Sequence, residues 1–145
     1  MIEHLIEKVQ TGVFYARESF PINSEAIDYL LEQIDSDKLN MGRICLHASH
    51  ESLLMSMVVA VRNNFVYPAH MHEWKDESYT IIRGSCKFQT YNPDGSVNST
   101  FFLDEGSTFL NLFRNYHTIV PISDPLVFLE CTTGPYTGQT NRLLG

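Results

Sequence analysis

Three histidines and one glutamate are the residues of this sequence best suited to hold a metal ion. His70 and His72 alternate along one short segment, and Glu77 follows after four intervening residues. Alternate residues of a strand face the same side of a sheet, so both imidazoles are expected to point inward together. His117 stands far downstream, at the start of another apolar run. Three imidazoles and a carboxylate make a mixed nitrogen and oxygen set that suits Fe, Mn, Ni, Co, Cu or Zn.

Such a site leaves one or two coordination positions for water or substrate, which is typical of catalytic metal sites. The predicted site does not need all four residues, because two histidines and a carboxylate already form a facial triad. The competing interpretation of His70 and His72 is an ordinary histidine pair on an exposed strand.

Two further residues are candidates for a catalytic role. Tyr79 lies two residues after Glu77, so it is expected on the same inward face. There it is either a hydrogen-bond donor or acid–base group beside the metal, or an aromatic core residue. Arg114 stands three residues before His117 and is the best placed arginine to reach a phosphate or carboxylate. Arg62 and Arg83 are weaker candidates for the same role.

The elements that must position these residues are mostly strands. From residue 43 onward, short runs rich in β-branched and aromatic residues are separated by turn residues. The strongest turn is Asn92-Pro93-Asp94-Gly95, in which proline fixes φ and glycine supplies a positive φ. The runs predicted as strands are 53–62, 78–83, 86–91, 97–103, 108–112, 116–121 and 126–131.

The first 42 residues have a different pattern. Asn23 is a helix N-cap type, and four apolar residues then fall on one helical face, namely Ile27, Leu30, Leu31 and Ile34. Residues 12–17 are expected to form a strand or an extended arm. We therefore predict two regions: an N-terminal helical and extended arm over residues 1–42, and a barrel with a C-terminal tail over residues 43–145.

The histidine spacing resembles that of a known superfamily. The segment His70-x-His72-x4-Glu77-x6-Gly84 is similar to the first cupin motif, and Gly106-x10-His117 has the overall length of the second. Before His117 the chain departs from the second motif, so the turn there must be built differently. The resemblance covers roughly residues 43–133. It implies a single double-stranded β-helix, which is a jelly-roll barrel. It also implies that the metal ligands are His70, His72, Glu77 and His117.

A narrower resemblance rests on the order of several short elements. They are Arg43-x3-His47, a Tyr-Pro step before the histidine pair, the Asp94-Gly95 turn, His117-Thr118 and Gly134-Pro135-Tyr136. This order is similar to that of the WbuC family of small cupin metalloproteins. The resemblance implies a link to bacterial surface-polysaccharide biosynthesis.

Composition limits the partners of the chain. A formal net charge of −7 argues against nucleic acid or an anionic membrane as the main partner. It still allows a small anionic or sugar-derived ligand, because a few local arginines suffice to bind one. The three cysteines are widely spaced without a CxxC pair, and neither a signal peptide nor a transmembrane run is visible. We therefore expect a cytoplasmic protein.

Three functions remain open from the sequence. The metal could act as a Lewis acid on a sugar or sugar nucleotide, supporting isomerisation, epimerisation or lyase chemistry. Alternatively, the protein is an Fe(II)-dependent dioxygenase of a small molecule, or a cupin that binds a small ligand without catalysis. A homodimer is expected in each case, because a single cupin barrel leaves a sheet edge and apolar faces to cover.

Overall fold

The computed structural model describes residues 2–112, 114–136 and 141–145. The protein is mainly β, with 47% of residues in strands and 9% in helix. The elements in chain order are β1 Ile6–Gln10, β2 Val13–Ala16, α1 Ser24–Ser36, β3 Met41–Cys45, β4 Leu54–Val61, β5 His70–His72, β6 Glu77–Arg83, β7 Cys86–Tyr91, β8 Val97–Leu103, β9 Thr108–Asn111, β10 Tyr116–Pro121, β11 Leu126–Thr133 and β12 Asn141–Leu143. No helix in the described ranges is long and apolar enough to cross a membrane.

Two sheets face each other. The large sheet has seven strands in the order β1-β2-β3-β4-β11-β6-β9, and the small sheet has five in the order β12-β5-β10-β7-β8. All pairs are antiparallel except β2 with β3. Strands distant in sequence therefore become neighbours, as a jelly roll requires. The predicted strand runs are confirmed, with ends that differ by one or two residues.

The helix α1 covers the outer face of the large sheet. The Asn23 side chain accepts a hydrogen bond from the backbone N–H of Ala26 at 3.2 Å, which caps the first turn as predicted. The apolar face of the helix is buried against outward-facing sheet residues such as Ile44 and Val58. The strand β4 is thus covered on both faces, which explains why its sequence is almost continuously apolar.

The inner face of the large sheet carries three rows of side chains that run across its strands. Strand register places in one row Met55, Thr132, Glu77 and Asn111; in the next Cys45, Met57, Glu130, Tyr79 and Phe109; and in the third Arg43, Val59, Phe128 and Ile81. Neighbours within a row are close enough to interact. Polar and charged residues therefore stand at fixed places within an otherwise apolar wall.

The N-terminal residues do more than cover the barrel. Besides α1, they supply β1 and β2, and β2 continues the large sheet by parallel pairing with β3. Sequence analysis left the segment containing β2 open between a strand and an arm, and gave no strand at β1 or β12. The predicted boundary at residue 42 thus falls inside β3. The division of the chain into two regions stays a prediction.

The turn after β6 leads to a stability prediction. Gly84 has φ +88, and a Cβ added there would lie 2.1 Å from Ser123 Oγ and 2.7 Å from the carbonyl oxygen of Pro125. Gly84→Ala is therefore expected to lower the free energy of unfolding by about 3 kcal/mol, from backbone strain together with overpacking. Urea denaturation of the purified variant measures this loss.

Gly95→Ala is the matched control. Gly95 also has φ +88, but nothing lies within 4 Å of an added Cβ. This variant should lose only the backbone contribution, about 1 kcal/mol. Equal losses of unfolding free energy in the two variants would show that contact of the added Cβ with Ser123 and Pro125 does not destabilise Gly84→Ala.

Candidate metal centre

The predicted ligand residues meet inside a cavity of about 370 Å³ between the two sheets. His70 and His72 come from β5 and His117 from β10, so the small sheet supplies the imidazoles. His70 and His117 are direct partners across the two strands. Glu77, at the start of β6, comes from the large sheet and faces them. The long separation between residues 72 and 117 in the sequence is closed by strand pairing.

The distances fit a common metal ion. One nitrogen from each of the three imidazoles lies within 4.8 Å of the other two. Glu77 Oε1 lies 3.0 Å from His72 Nε2 and 3.2 Å from His117 Nε2. Two ligand atoms bonded at right angles to a metal about 2.1 Å away would be about 3.0 Å apart. The three-histidine cluster therefore fits a divalent metal, and Glu77 Oε1 lies beside two of its imidazoles.

Hydrogen bonds to backbone carbonyls orient two of the imidazoles. His70 Nδ1 lies 2.9 Å from the carbonyl oxygen of Pro68, and His117 Nδ1 lies 2.8 Å from that of Asn115. A carbonyl oxygen only accepts, so Nδ1 of His70 carries the hydrogen. Nε2 then presents its lone pair. Burial, together with the nearby His117, lowers the pKa of His70 to about 4, which keeps this imidazole neutral at pH 7.

One carboxylate oxygen of Glu77 accepts a hydrogen bond, and the other has no hydrogen-bond partner among the described residues. The Tyr79 hydroxyl donates a hydrogen bond of 2.7 Å to Oε2. Oε1 is buried and has no hydrogen-bond partner of suitable geometry in the described part of the chain. Burial raises the pKa of Glu77, but its close contacts with His117 and His72 outweigh burial and hold the pKa well below its usual range. An ionised oxygen thus faces the imidazole nitrogens.

The structure brings Tyr79 to the site, as predicted from its spacing to Glu77. Its ring is buried and lines the cavity, and its hydroxyl lies 3.5 Å from His117 Nε2. Burial raises the pKa of Tyr79 well above its usual value, and the charges of Glu130 and Glu77 raise it further. The phenol therefore keeps its proton and acts on Glu77 as a donor. This contact makes Tyr79 a positioning residue for the carboxylate.

The structure does not bring Arg114 to the cavity. Arg114 adopts a positive φ of 64°, and its guanidinium lies 5.7 Å from the Trp74 ring centroid, on the exposed surface. The neighbouring residue in the predicted turn, Phe113, lies outside the described residues. Arg62 and Arg83 are also turned away, because they form ion pairs with Asp35 and Asp28.

Several polar residues at the site were not found from the sequence, and three of them stand out. Arg43 and Lys75 line the cavity, and Asn111 Nδ2 lies 3.1 Å from His117 Nδ1. A signal was present for Arg43, a lone charge within the apolar strand β3. Asn111 likewise ends a short strand two residues after Phe109, on the same face. The sequence carries no comparable signal for Lys75, which lies in the connection between β5 and β6.

A family model described as a domain of unknown function, DUF6016, matches residues 22–103. This chain belongs to the DUF6016 family. The match contains His70, His72 and Glu77, and it ends before His117. Among curated proteins, none matches this DUF6016 chain.

Solved structures similar to the DUF6016 chain have the cupin fold. An uncharacterised conserved protein with a double-stranded β-helix domain from Klebsiella pneumoniae is 14% identical, with a TM-score of 0.57, over 73% of this chain and 85% of its own. The cupin domain of Schizosaccharomyces pombe Cnp3 is 16% identical, with a TM-score of 0.56, over 65% and 64%. These likenesses show the predicted fold class: a mainly β double-stranded β-helix with one helix.

The fold relatives of the DUF6016 chain include a metal-dependent enzyme. Bacillus subtilis oxalate decarboxylase, whose Mn(II) centres have been analysed, is 24% identical with a TM-score of 0.54. The match covers 64% of this chain but only 24% of the decarboxylase. The chain thus spans about a quarter of that enzyme, and the likeness concerns the barrel.

Proposed function

We propose that the protein is a metal-dependent cupin that binds one divalent transition metal through His70, His72, Glu77 and His117. The observation that carries this proposal is the approach of two imidazole Nε2 atoms to the unpartnered Glu77 Oε1. A buried carboxylate oxygen without a hydrogen bond is costly. A bound cation would offset that cost and would use the directed lone pairs of the imidazoles.

When bound, a divalent metal supplies a Lewis acid that polarises a carbonyl or adjacent hydroxyl groups of a ligand.

The residues around the proposed ligands hold them in place. Tyr79 fixes the orientation of Glu77 through its hydroxyl. The Phe88 ring is stacked on that of His117, with centroids 5.5 Å apart and planes at 8°. Contacts of this kind orient ligand side chains and limit the entry of water.

The proposed substrate is a sugar or sugar-derived molecule, such as a sugar nucleotide, that enters the cavity with its oxygens toward the metal. The cavity volume of about 370 Å³ is at the lower end of the range for small-molecule sites. The resemblance to the WbuC family supports a role in surface-polysaccharide biosynthesis. The free cysteines Cys45, Cys86 and Cys131 favour the proposed cytoplasmic location, and we keep the homodimer as part of this proposal.

Product analysis under two atmospheres tests the proposed chemistry. Protein loaded with Mn(II), Zn(II) or Fe(II) is incubated with sugar nucleotides, with and without oxygen. We expect turnover without oxygen, with Mn(II) or Zn(II) as well as Fe(II), because a Lewis acid needs no oxidant. Turnover only with Fe(II) and oxygen uptake would instead show a dioxygenase. Calorimetric binding without any product would show a non-catalytic ligand-binding cupin.

A further inference from the structure

Two cations in the cavity have weak partners. In the described part of the chain, the hydrogen bond of the Arg43 guanidinium goes to the thioether sulfur of Met57 at 3.9 Å, and thioethers are weak acceptors. The Lys75 ammonium lies 5.2 Å from the Tyr136 ring centroid. Neither cation forms an ion pair with another described residue. Glu130 is near enough to interact with both charges, but neither cation is held in a direct ion pair within the described part of the chain.

The charge balance of the cavity differs from that of the whole chain. The carboxylates of the lining are Glu77 and Glu130, which formally balance Arg43 and Lys75. A divalent metal at the proposed site would therefore make the cavity net positive, although the chain carries a formal charge of −7. Within low-dielectric walls a charge excess of this kind attracts anions.

Arg43 and the metal residues occupy different parts of the cavity. Arg43 is on β3, which is separated from β6 and Glu77 by β4 and β11. Adjacent strands are about 4.8 Å apart, so a ligand that contacts both the metal and Arg43 has to be extended. Its two ends then differ in chemistry: oxygens that bind a metal at one end and an anion at the other.

We propose that the cavity accepts a small hydroxylated molecule with one oxyanion group, a carboxylate or a phosphate, bound by Arg43, with Lys75 as a second positive charge in the cavity lining. This inference rests on the proposed metal site for the opposite end of the ligand. The guanidinium binds both oxyanions through two parallel hydrogen bonds, and the ammonium adds a compact charge. Arg43 and Lys75 are thus specificity residues, and they take over the role that the sequence suggested for Arg114.

Calorimetric titration with three related probes tests this inference. Gluconate and sorbitol 6-phosphate carry a carboxylate and a phosphate on a six-carbon polyol, whereas sorbitol carries no charge. Metal-loaded wild-type protein should bind at least one of the two anions about tenfold more tightly than sorbitol. The Arg43→Gln, Lys75→Gln double variant should lose this preference. The two anionic probes distinguish a carboxylate from a phosphate ligand.

A second double variant, Arg17→Gln with Lys87→Gln, removes the same charge outside the cavity and should keep the preference for the anion. An absent preference in the wild type, or a preference that survives in the Arg43→Gln, Lys75→Gln variant, would overturn the inference. Metal content is measured on every sample, and the titrations are repeated on metal-free protein. A wild type that holds no metal but still prefers the anion through Arg43 and Lys75 would contradict only the proposed function.

Discussion

His70→Ala combined with His72→Ala is expected to abolish metal binding, leaving less than about a tenth of the wild-type content after dialysis. Both imidazoles face the cavity, and each offers a nitrogen to the same small volume. Only His117 and Glu77 would remain, and metal affinity should fall by about a thousandfold, or about 4 kcal/mol. Elemental analysis of dialysed protein by mass spectrometry measures the change.

The control is His4→Ala combined with His50→Ala. These two histidines are exposed, so the variant removes the same number of imidazoles from the surface. It should keep the wild-type metal content. Circular dichroism of both variants shows whether the fold is intact. Full metal retention in a folded His70→Ala, His72→Ala variant would show that the metal binds elsewhere.

Glu77→Gln is expected to remove at least about half of the stabilisation that metal gives to the fold. A ligand at a hundred times its dissociation constant stabilises the native state by about 2.7 kcal/mol. A neutral amide binds metal more weakly than a carboxylate, so a loss of at least about tenfold in affinity should cost about 1.4 kcal/mol of this gain. The amide has the shape of the carboxylate and still accepts from Tyr79, so metal-free stability should change little.

Thermal unfolding with and without added metal gives the required comparison. Glu51 is exposed, so Glu51→Gln is the matched control and should respond to metal as the wild type does. Equal stabilisation of Glu77→Gln and wild type would mean that the three histidines bind the metal without the carboxylate. Only the Glu77 part of the proposed site would then be wrong.

Three of the four proposed metal ligands were predictable because their signal is local. His70, His72 and Glu77 lie within eight residues, and strand alternation fixes which way neighbouring side chains point. Tyr79 followed from the same alternation. The strand runs and the helix also rest on local patterns, and their positions were confirmed.

The cationic residues of the cavity were not predictable in this way. Arg114 is near His117 in sequence, but a backbone turn with positive φ directs its side chain toward Trp74. Arg43 is far from every ligand in sequence and reaches the cavity because β3 pairs with β4 and β4 with β11. Such placement depends on the order of strands in the sheet, which short-range spacing does not determine.

Anomalous X-ray diffraction from crystals of Mn(II)-loaded protein tests the metal site most directly. We predict one strong anomalous peak per chain between the two sheets. It should lie at bonding distance, about 2.0–2.3 Å, from an imidazole nitrogen of His70, His72 and His117 and from a carboxylate oxygen of Glu77. A metal-saturated crystal without a peak in the cavity, or with its peak at other residues, would contradict the assignment.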